Sequence, residues 1–137
     1  LESPSNPVLE LVDIEAVSNM AHETGALVLV DNVFASPLYQ KPLALGADIV
    51  IYSTTKHIDG QGRLLGGAVL GKQSFVEEVF LPFYRQTGAA ISAFNAWVML
   101  KSLETLPLRL AAQSQSAAKI SDWLMFRDIL LGKIKIW

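Results

Sequence analysis

Two short polar segments each follow an apolar run that predicts a buried β-strand. Residues 26–30 lead into Asp31-Asn32, and residues 49–52 lead into Ser53-Thr54-Thr55-Lys56. Continuous β-favouring runs of this kind are typical of parallel strands buried on both faces. Because ligands of open α/β sheets bind beyond the carboxyl ends of the strands, we expect a carboxylate, hydroxyl groups and an amine to meet at one edge of the sheet.

This combination of groups suits pyridoxal 5'-phosphate (PLP). The amine of Lys56 can form a Schiff base with the cofactor aldehyde. The carboxylate of Asp31 can keep the pyridine nitrogen protonated, so that the ring acts as an electron sink. The hydroxyl groups of Ser53 and Thr55 can bind the phosphate. The sequence therefore predicts a PLP site with Lys56 as its central residue.

Each of these residues also has an ordinary interpretation. Asp31 can be a turn residue at a strand end, and Lys56 can be a solvated charge in a loop. The serine and threonine hydroxyls can satisfy nearby backbone groups. The combination of all of them at two neighbouring strand ends favours the cofactor site over these separate explanations.

Two other chemical motifs fit the sequence less well. Residues 53–56 match the S-x-x-K pattern of serine acyl-transfer enzymes, with Ser53 as nucleophile and Lys56 as its base. That pattern needs a helix start after the serine, whereas here a strand precedes it, a turn follows, and no S-D-N or K-T-G segment occurs. Gly60-Gln61-Gly62 begins like a dinucleotide-binding loop, but Leu65 stands at the third glycine position, so we interpret this segment as a flexible turn.

The composition is typical of a protein interior. Apolar residues make up 51% of the 137 residues and charged residues 18%, against about 25% charged residues in an average soluble domain. No apolar run approaches the roughly 20 residues of a membrane span. A net charge of −2 offers no basic surface for nucleic acid, and two histidines without any cysteine argue against a metal site. The absence of cysteine also fits a cytoplasmic location, which we expect for this protein.

The elements that position these residues follow an α/β order. Asp13 is the expected N-cap of a helix that ends before Gly25. A short helix is expected between the two strands, over residues 37–46, and residues 64–70 predict a third strand. Further helices are expected over residues 75–80 and 94–103, and another is expected to start at Pro107. Helices that alternate with apolar strands predict a mostly parallel sheet flanked by helices.

Three segments carry a family resemblance. Ser3-Pro4-Ser5-Asn6-Pro7, Val30 to Ala35, and Ser53 to His57 resemble, in order and spacing, the Cys/Met-metabolism PLP enzymes. That family includes cystathionine γ-synthase, cystathionine lyases, methionine γ-lyase and the homoserine-ester sulfhydrylases. The resemblance extends over about residues 1–120 and implies the large PLP-binding domain of a fold-type I, aspartate aminotransferase-like enzyme.

The resemblance also implies roles for individual residues. Lys56 is the expected Schiff-base lysine, and Asp31 pairs with the pyridinium nitrogen. Ser53 and Thr55 hold the phosphate, and Asn6 lies near the ring oxygen and the substrate carboxylate. His57 has either a tuning effect on Lys56 or a packing role, and packing is preferred.

Within the family, residues 56–63, Lys-His-Ile-Asp-Gly-Gln-Gly-Arg, resemble the O-succinylhomoserine sulfhydrylases. The γ-synthases and lyases usually have an Asn-Gly-His-Ser-type turn there. The implied reaction is γ-replacement, in which O-succinylhomoserine and sulfide give homocysteine and succinate. The alternatives are a sibling γ-synthase, γ-lyase or O-acetylhomoserine sulfhydrylase. Arg63 is a candidate for binding the succinyl carboxylate, although a surface or subunit-contact role is preferred.

The chain is expected to be part of a larger enzyme. Residues 1–106 correspond to part of the PLP-binding domain, and residues 107–137 to the start of a helix leading toward a C-terminal domain. The tail from about residue 125 is atypical for the family, and the start is interpreted as truncated. The family resemblance implies a homotetramer built from dimers that share active sites, so we expect the isolated segment to be inactive.

Overall fold

The computed structural model of the protein describes residues 1–130. Ten elements follow one another in these residues. They are α1 (Ile14–Glu23), β1 (Leu29–Asp31), α2 (Ser36–Tyr39), a 3-10 turn (Pro42–Leu45), β2 (Ile49–Ser53), a π-type turn (Thr54–Ile58), β3 (Gly67–Gly71), a second π-type turn (Phe75–Phe80), α3 (Leu81–Thr87) and α4 (Ala93–Leu130).

Helix α1 begins and ends where the sequence predicts. The Asp13 carboxylate accepts a hydrogen bond from the backbone N–H of Ala16 at 3.0 Å, which satisfies one of the free donors at the helix start. Gly25 follows the helix with φ 73°, a backbone conformation that glycine adopts without a steric penalty. Both signals are local, and the prediction of this helix is confirmed.

The three strands form a mixed sheet in the order β1-β2-β3. Strands β1 and β2 are parallel, with Asp31 beside Ile51, whereas β3 runs antiparallel to β2. A parallel bridge also joins Glu2 to Asp31. The expected α/β sheet flanked by helices is confirmed, and β3 makes the described part of the sheet mixed. No α-helix lies between β2 and β3 in the described residues, and a parallel strand usually requires a helical crossover.

One apolar cluster packs helix α1 against β1 and the residues around it. Ile14, Val28, Val30 and Ala47 pack together there, with Ala21 and Leu45 partly buried against them. Full burial of an aliphatic side chain such as Val30 contributes about 1.5–3 kcal/mol to stability. Strand β1 was expected to be buried on both faces. In the described part of the chain this is wrong, because Leu29 of β1 is 42% exposed.

The segment between β1 and β2 differs from the single short helix expected over residues 37–46. Helix α2 ends at Tyr39, and a separate 3-10 turn starts at Pro42. Proline lacks a backbone N–H and disfavours the helical conformation in the residue before it. Lys41 accordingly has φ −123° and ψ 78°, and the helix is interrupted there.

The chain divides into two compact units, Leu1–Leu103 and a second unit that begins at Glu104. Helix α4 contains Pro107 in its interior, so the prediction that a new helix starts at that proline is wrong. In the second unit, the Arg127 guanidinium lies 5.4 Å from the centre of the Trp123 ring, one helical turn away. The predicted domain boundary between residues 106 and 107 stays a prediction. The atypical tail is helical to Leu130, and the rest of it lies outside the described residues.

In the described part of the chain, each helix is too short or too polar to cross a lipid bilayer.

Candidate active site

The ends of β1 and β2 lie at the same edge of the sheet. The parallel register places Asp31 beside Ile51, and Ser53 follows two residues later at the end of β2. Because side chains alternate between the faces of a strand, Asp31 and Ser53 project to the same face. The structure therefore brings together the two strand ends that the sequence singles out.

Asp31 is half-buried and its carboxylate is oriented by the chain that follows it. The backbone N–H of Val33 donates to Oδ1 of Asp31 at 3.0 Å. The backbone N–H of Asp31 donates to the carbonyl of Leu1 at 2.9 Å. The two contacts fix the backbone and one carboxylate oxygen of Asp31, and the pairing of this carboxylate with a ring nitrogen stays a prediction.

Asn32 is a residue whose importance the sequence analysis did not recognise. It is fully buried, and its Nδ2 contacts the carbonyls of Ser36 and Gln40 at 3.1 and 3.0 Å and the Tyr52 hydroxyl at 2.8 Å. Its Oδ1 accepts from Nε2 of Gln40 at 2.8 Å. A buried amide with all of its polar atoms engaged anchors the end of β1 directly behind Asp31. Its position immediately after a buried strand is the only sequence signal for this role.

Lys56 lies on an exposed position of the π-type turn that continues β2. Its backbone has φ −87° and ψ −118°, which interrupts the helical conformation of the turn. The turn is closed around it, because the N–H of Asp59 donates to the carbonyl of Thr54 at 2.9 Å and the N–H of Gly60 donates to that of Lys56 at 2.7 Å. The amine is thus carried on a small, hydrogen-bonded loop. Its neighbour His57 is half-buried.

The two predicted phosphate ligands have different surroundings. Ser53 is half-buried at the end of β2 and pairs with Gly67 of β3. The Thr55 hydroxyl accepts a hydrogen bond from the N–H of Gly66 at 3.0 Å and lies 3.3 Å from the carbonyl of the same residue. The Thr55 side chain therefore ties the turn to the segment that leads into β3, and its role toward a phosphate stays a prediction.

Gly66 has to be a glycine for this packing. A Cβ at this position would lie 2.6 Å from Oγ1 of Thr54, closer than any real contact of this kind. The Thr54 side chain is buried, and its hydroxyl has no hydrogen-bond partner among the residues that the structure describes. The close approach of backbone to side chain keeps the Lys56 turn against the start of β3.

Arg63 has a buried partner. Its Nε lies 2.9 Å from Oδ1 of Asp59, and its Nη2 lies 2.8 Å from the hydroxyl of Ser102. A substrate carboxylate would have to use the remaining nitrogen, Nη1, or replace one of these contacts. The turn that reaches Arg63 contains Gly60 and Gly62, both with positive φ, at 70° and 67°. It was expected to be a flexible turn, and the structure closes it with hydrogen bonds.

The pKa of Asp59 reflects a balance of opposing effects. Burial by itself would raise this pKa, because it disfavours the charged form. Hydrogen bonds from the backbone and guanidinium of Arg63, and from the backbone of Gln61, outweigh burial and hold the pKa below its usual value. Asp59 is therefore an ionised carboxylate inside the protein at neutral pH.

Asn6 lies in the N-terminal loop. It is exposed, and its backbone N–H donates to Oε2 of Glu2 at 2.9 Å. Glu2 in turn forms the bridge to Asp31, so the loop starts at the same edge of the sheet as the candidate site. The contribution of Asn6 to a ligand stays a prediction.

The residues present fit PLP by the chemistry of their groups. A fixed acid, an exposed amine and hydroxyl groups follow two adjacent parallel strands, in the place where open α/β sheets bind ligands. Nothing in the arrangement favours serine acyl transfer, because Ser53 ends a strand and an irregular turn follows it. The geometry therefore supports a cofactor site over a nucleophilic serine.

Comparison with known proteins agrees with this site. Residues 1–130 match the model of the Cys/Met metabolism PLP-dependent enzyme family. The chain belongs to that family. It is an enzyme family that uses PLP, and the fold-type I domain expected from the resemblance is confirmed.

Individual relatives give a finer comparison. The chain is 54% identical over 123 residues to O-succinylhomoserine sulfhydrylase of Mycobacterium tuberculosis, covering 90% of this chain and 30% of that protein. It is 40% identical to cystathionine gamma-synthase of Mycobacterium bovis, covering 90% and 32%. The crystal structure of cystathionine gamma-lyase from Lactobacillus plantarum matches with a TM-score of 0.88 at 36% identity, covering 91% and 33%. The chain thus spans about a third of the length of these relatives.

Proposed function

We propose that this chain is part of a PLP-dependent transferase that catalyses γ-replacement on O-succinylhomoserine. Sulfide would replace succinate at the γ-carbon, and homocysteine and succinate would be the products. The observation that carries this proposal is the placement of Asp31 and the Lys56 turn at the ends of two adjacent parallel strands. The higher identity to O-succinylhomoserine sulfhydrylase, 54% against 40% for the γ-synthase, supports the choice of substrate.

When bound, PLP supplies a conjugated ring that takes up the electrons released by proton removal at the substrate α-carbon. Asp31 would hold the proton of the ring nitrogen, which keeps the ring electron-withdrawing. The Val33 N–H fixes Oδ1 of this carboxylate, so the acid need not reorient during the reaction. Asp31 therefore lowers the barrier to every step in which negative charge develops next to the ring.

Lys56 has two tasks in this proposal. It would hold the aldehyde end of the cofactor. With substrate in the site, the same amine would remove the α-proton of the substrate and move protons between the α- and β-carbons, so that sulfide can replace succinate at the γ-carbon. The exposed position of Lys56 on a closed turn suits a group that has to move over a short distance.

The remaining site residues keep their predicted roles. Ser53 and Thr55 would donate to the cofactor phosphate, with Thr55 also tied to Gly66. Asn6 would lie beside the ring oxygen and the substrate carboxylate, whereas for Arg63 a contact role is preferred over binding the succinyl carboxylate, because Asp59 and Ser102 already engage two of its nitrogens. The family resemblance is the support for these roles, and for a cytoplasmic homotetramer in which a neighbouring subunit completes the phosphate site.

The second candidate function is a sibling activity of the same family. The identity of 39–40% to L-methionine gamma-lyase of Fusobacterium nucleatum and to cystathionine gamma-synthase favours this alternative over an unrelated chemistry. A panel of succinyl and acetyl homoserine esters, each combined with sulfide and with cysteine, separates the activities. Preferred use of the succinyl ester with sulfide is the outcome that the proposal requires.

The direct test is covalent trapping of the cofactor. The purified protein is mixed with PLP, reduced with borohydride, digested and analysed by mass spectrometry. We expect the reduced adduct on Lys56, no adduct in Lys56→Ala, and little on the exposed residues Lys41 and Lys72. The Asp31→Ala variant should still form the adduct on Lys56, but it should bind PLP more weakly. Removal of the substrate α-proton should be slower by orders of magnitude in the same variant of the full-length enzyme. An adduct spread over several lysines, or unchanged in Lys56→Ala, would refute the proposal.

A further inference from the structure

An ion pair between the buried carboxylate of Asp59 and the exposed side chain of Arg63 closes the turn that carries Lys56. Asp59 is fully buried, and its Oδ2 accepts the backbone N–H of Arg63 at 2.7 Å and that of Gln61 at 3.4 Å. Its Oδ1 accepts from Nε of Arg63 at 2.9 Å. A charged side chain that is buried away from water needs an opposite charge and hydrogen bonds. Arg63 supplies the opposite charge for Asp59 and most of the N–H groups that donate to its carboxylate.

The same arginine links the turn to helix α4. Nη2 of Arg63 donates to the Ser102 hydroxyl at 2.8 Å, and this hydroxyl donates to the carbonyl of Val98 at 2.7 Å. Ser102 and Val98 are both buried. Asp59 therefore fixes the turn from inside, while Ser102 connects it to a helix 39 residues further along the chain.

Lys56 lies three residues before Asp59 on this turn. Its carbonyl accepts the N–H of Gly60, and the N–H of Asp59 donates to the carbonyl of Thr54. A shift of Asp59 would therefore move both backbone hydrogen bonds that enclose Lys56. Helix α4 is thereby connected, through Ser102, Arg63 and Asp59, to the backbone around Lys56.

We propose that Asp59, Arg63 and Ser102 form a positioning network that holds the Lys56 turn in its reactive arrangement. This inference rests on the proposed function, because it concerns the lysine that carries the cofactor. It gives Arg63 a role that does not depend on the substrate. Since two of its nitrogens are engaged with Asp59 and Ser102, loss of Arg63 affects all substrates alike.

Limited proteolysis tests the network without any cofactor. Trypsin cleavage after Lys56 is compared with cleavage after Arg85, an exposed reference site in α3, in Arg63→Met and Ser102→Ala. We expect the cleavage ratio of Lys56 to Arg85 to rise about tenfold in Arg63→Met, because a hydrogen bond to a charged group is lost, and less in Ser102→Ala. Arg63→Lys should restore part of the protection, since an ammonium cannot contact both partners as a guanidinium does.

A matched control removes an exposed charge elsewhere. Lys119→Met, on the surface of α4, should leave the cleavage ratio unchanged. Equal increases at Lys56 and Arg85 in Arg63→Met would show a general loss of structure and would overturn a local positioning role. An unchanged ratio in both Arg63→Met and Ser102→Ala would overturn it as well.

Cofactor binding supplies the second measurement. In Arg63→Met and Ser102→Ala, we expect a shift in the pH at which the visible absorbance of bound PLP is half changed. The rate of borohydride trapping on Lys56 should also fall in both variants. The control Lys119→Met should change neither the pH midpoint nor the trapping rate. In the full-length enzyme of which this chain is expected to be a part, Arg63→Met should lower kcat to the same extent with succinyl and acetyl esters. A loss confined to the KM of the succinyl ester would assign Arg63 to the substrate and overturn the network.

The two proposals fail in different ways. If the unaltered protein takes up no PLP on Lys56, the proposed function is wrong and the inference that depends on it is overturned. If the unaltered protein is trapped on Lys56 and the variants behave like it, the function stands and only the network is refuted.

Discussion

The ends of β1 and β2 carry the acid and the amine of the same candidate site, but they are held in different ways. Behind Asp31, the buried Asn32 contacts Tyr52, which is 20 residues away in the chain, and Gln40, whose amide donates to the carbonyl of Ser3 over a separation of 37 residues. The turn around Lys56 is closed mainly by contacts within residues 54–66, with one long link to Ser102.

This difference shows how the two groups depend on the rest of the fold. The acid is fixed by side chains that come together only when several segments are folded. The amine is carried on a turn that forms most of its contacts locally and depends on close packing at Gly66. Substitutions at the end of β1 should therefore lower the stability of the domain, whereas substitutions in the turn should mainly change the position of Lys56.

The largest expected effect is on the β1 end. Asn32→Ala removes one hydrogen-bond partner from Gln40 and from Tyr52 and leaves polar atoms buried without partners. We expect a loss of about 2–4 kcal/mol in the free energy of unfolding, by the cost of unsatisfied buried groups. Urea denaturation of the purified protein measures this loss. Asn19→Ala, at an exposed position of α1, is the control and should change the stability by less than about 0.5 kcal/mol.

An Asn32→Ala variant as stable as the Asn19→Ala control would contradict the anchoring role of Asn32. Asp31 would then be held by local contacts, as Lys56 is, and the two strand ends would not differ.

The next effect is on the packing of the turn. Gly66→Ala places a methyl group only 2.6 Å from Oγ1 of Thr54, so one of the two groups has to move. We expect a destabilisation of about 1–3 kcal/mol, as for overpacked cores. Thr54→Ala removes the clashing atom, so the double variant should recover part of this loss, with a coupling of about 1 kcal/mol in a double-mutant cycle.

Thr54→Ser keeps the hydroxyl and serves as the matched control for that cycle. Gly66→Ala should be nearly as damaging in the Thr54→Ser background as in the original protein. Strict additivity of Gly66→Ala and Thr54→Ala would show that the strain comes from another contact.

The smallest expected effect is a pH dependence at the turn. The pKa of Asp59 in the folded protein is depressed by Arg63 and Gln61, below the value of about 3.9 for an unfolded chain. A depressed pKa contributes stability that is complete above the unfolded value and is lost as pH falls through the folded value. The stability advantage over Asp59→Asn should therefore be constant from pH 6 to 8, by this argument, and shrink below about pH 4.

Chemical denaturation of both proteins at matched pH values measures this difference. An advantage that stays constant or grows below about pH 4 would mean that Asp59 is not the ionised partner of Arg63.

Several features of this protein were determined by its sequence alone. Asp13 caps α1 because a short acidic side chain before an apolar helical pattern suits the free N–H groups of a helix start. The runs before Asp31 and Ser53 formed neighbouring parallel strands, so their polar ends share one edge of the sheet. Motif order and spacing were enough to identify the family, because the chemistry of PLP requires those residue types after those strands.

Other features were decided only by the tertiary structure. The antiparallel direction of β3, the buried network of Asn32 and the pairing of Arg63 with Asp59 and Ser102 could not be read from local patterns. Pro107 lies inside a continuous helix although its local preference is for a helix start. For Asn32 and for the Arg63–Ser102 contact the physical reason is the same: a sequence pattern reports what a segment prefers by itself, whereas their hydrogen-bond partners are supplied by segments 20 and 39 residues away.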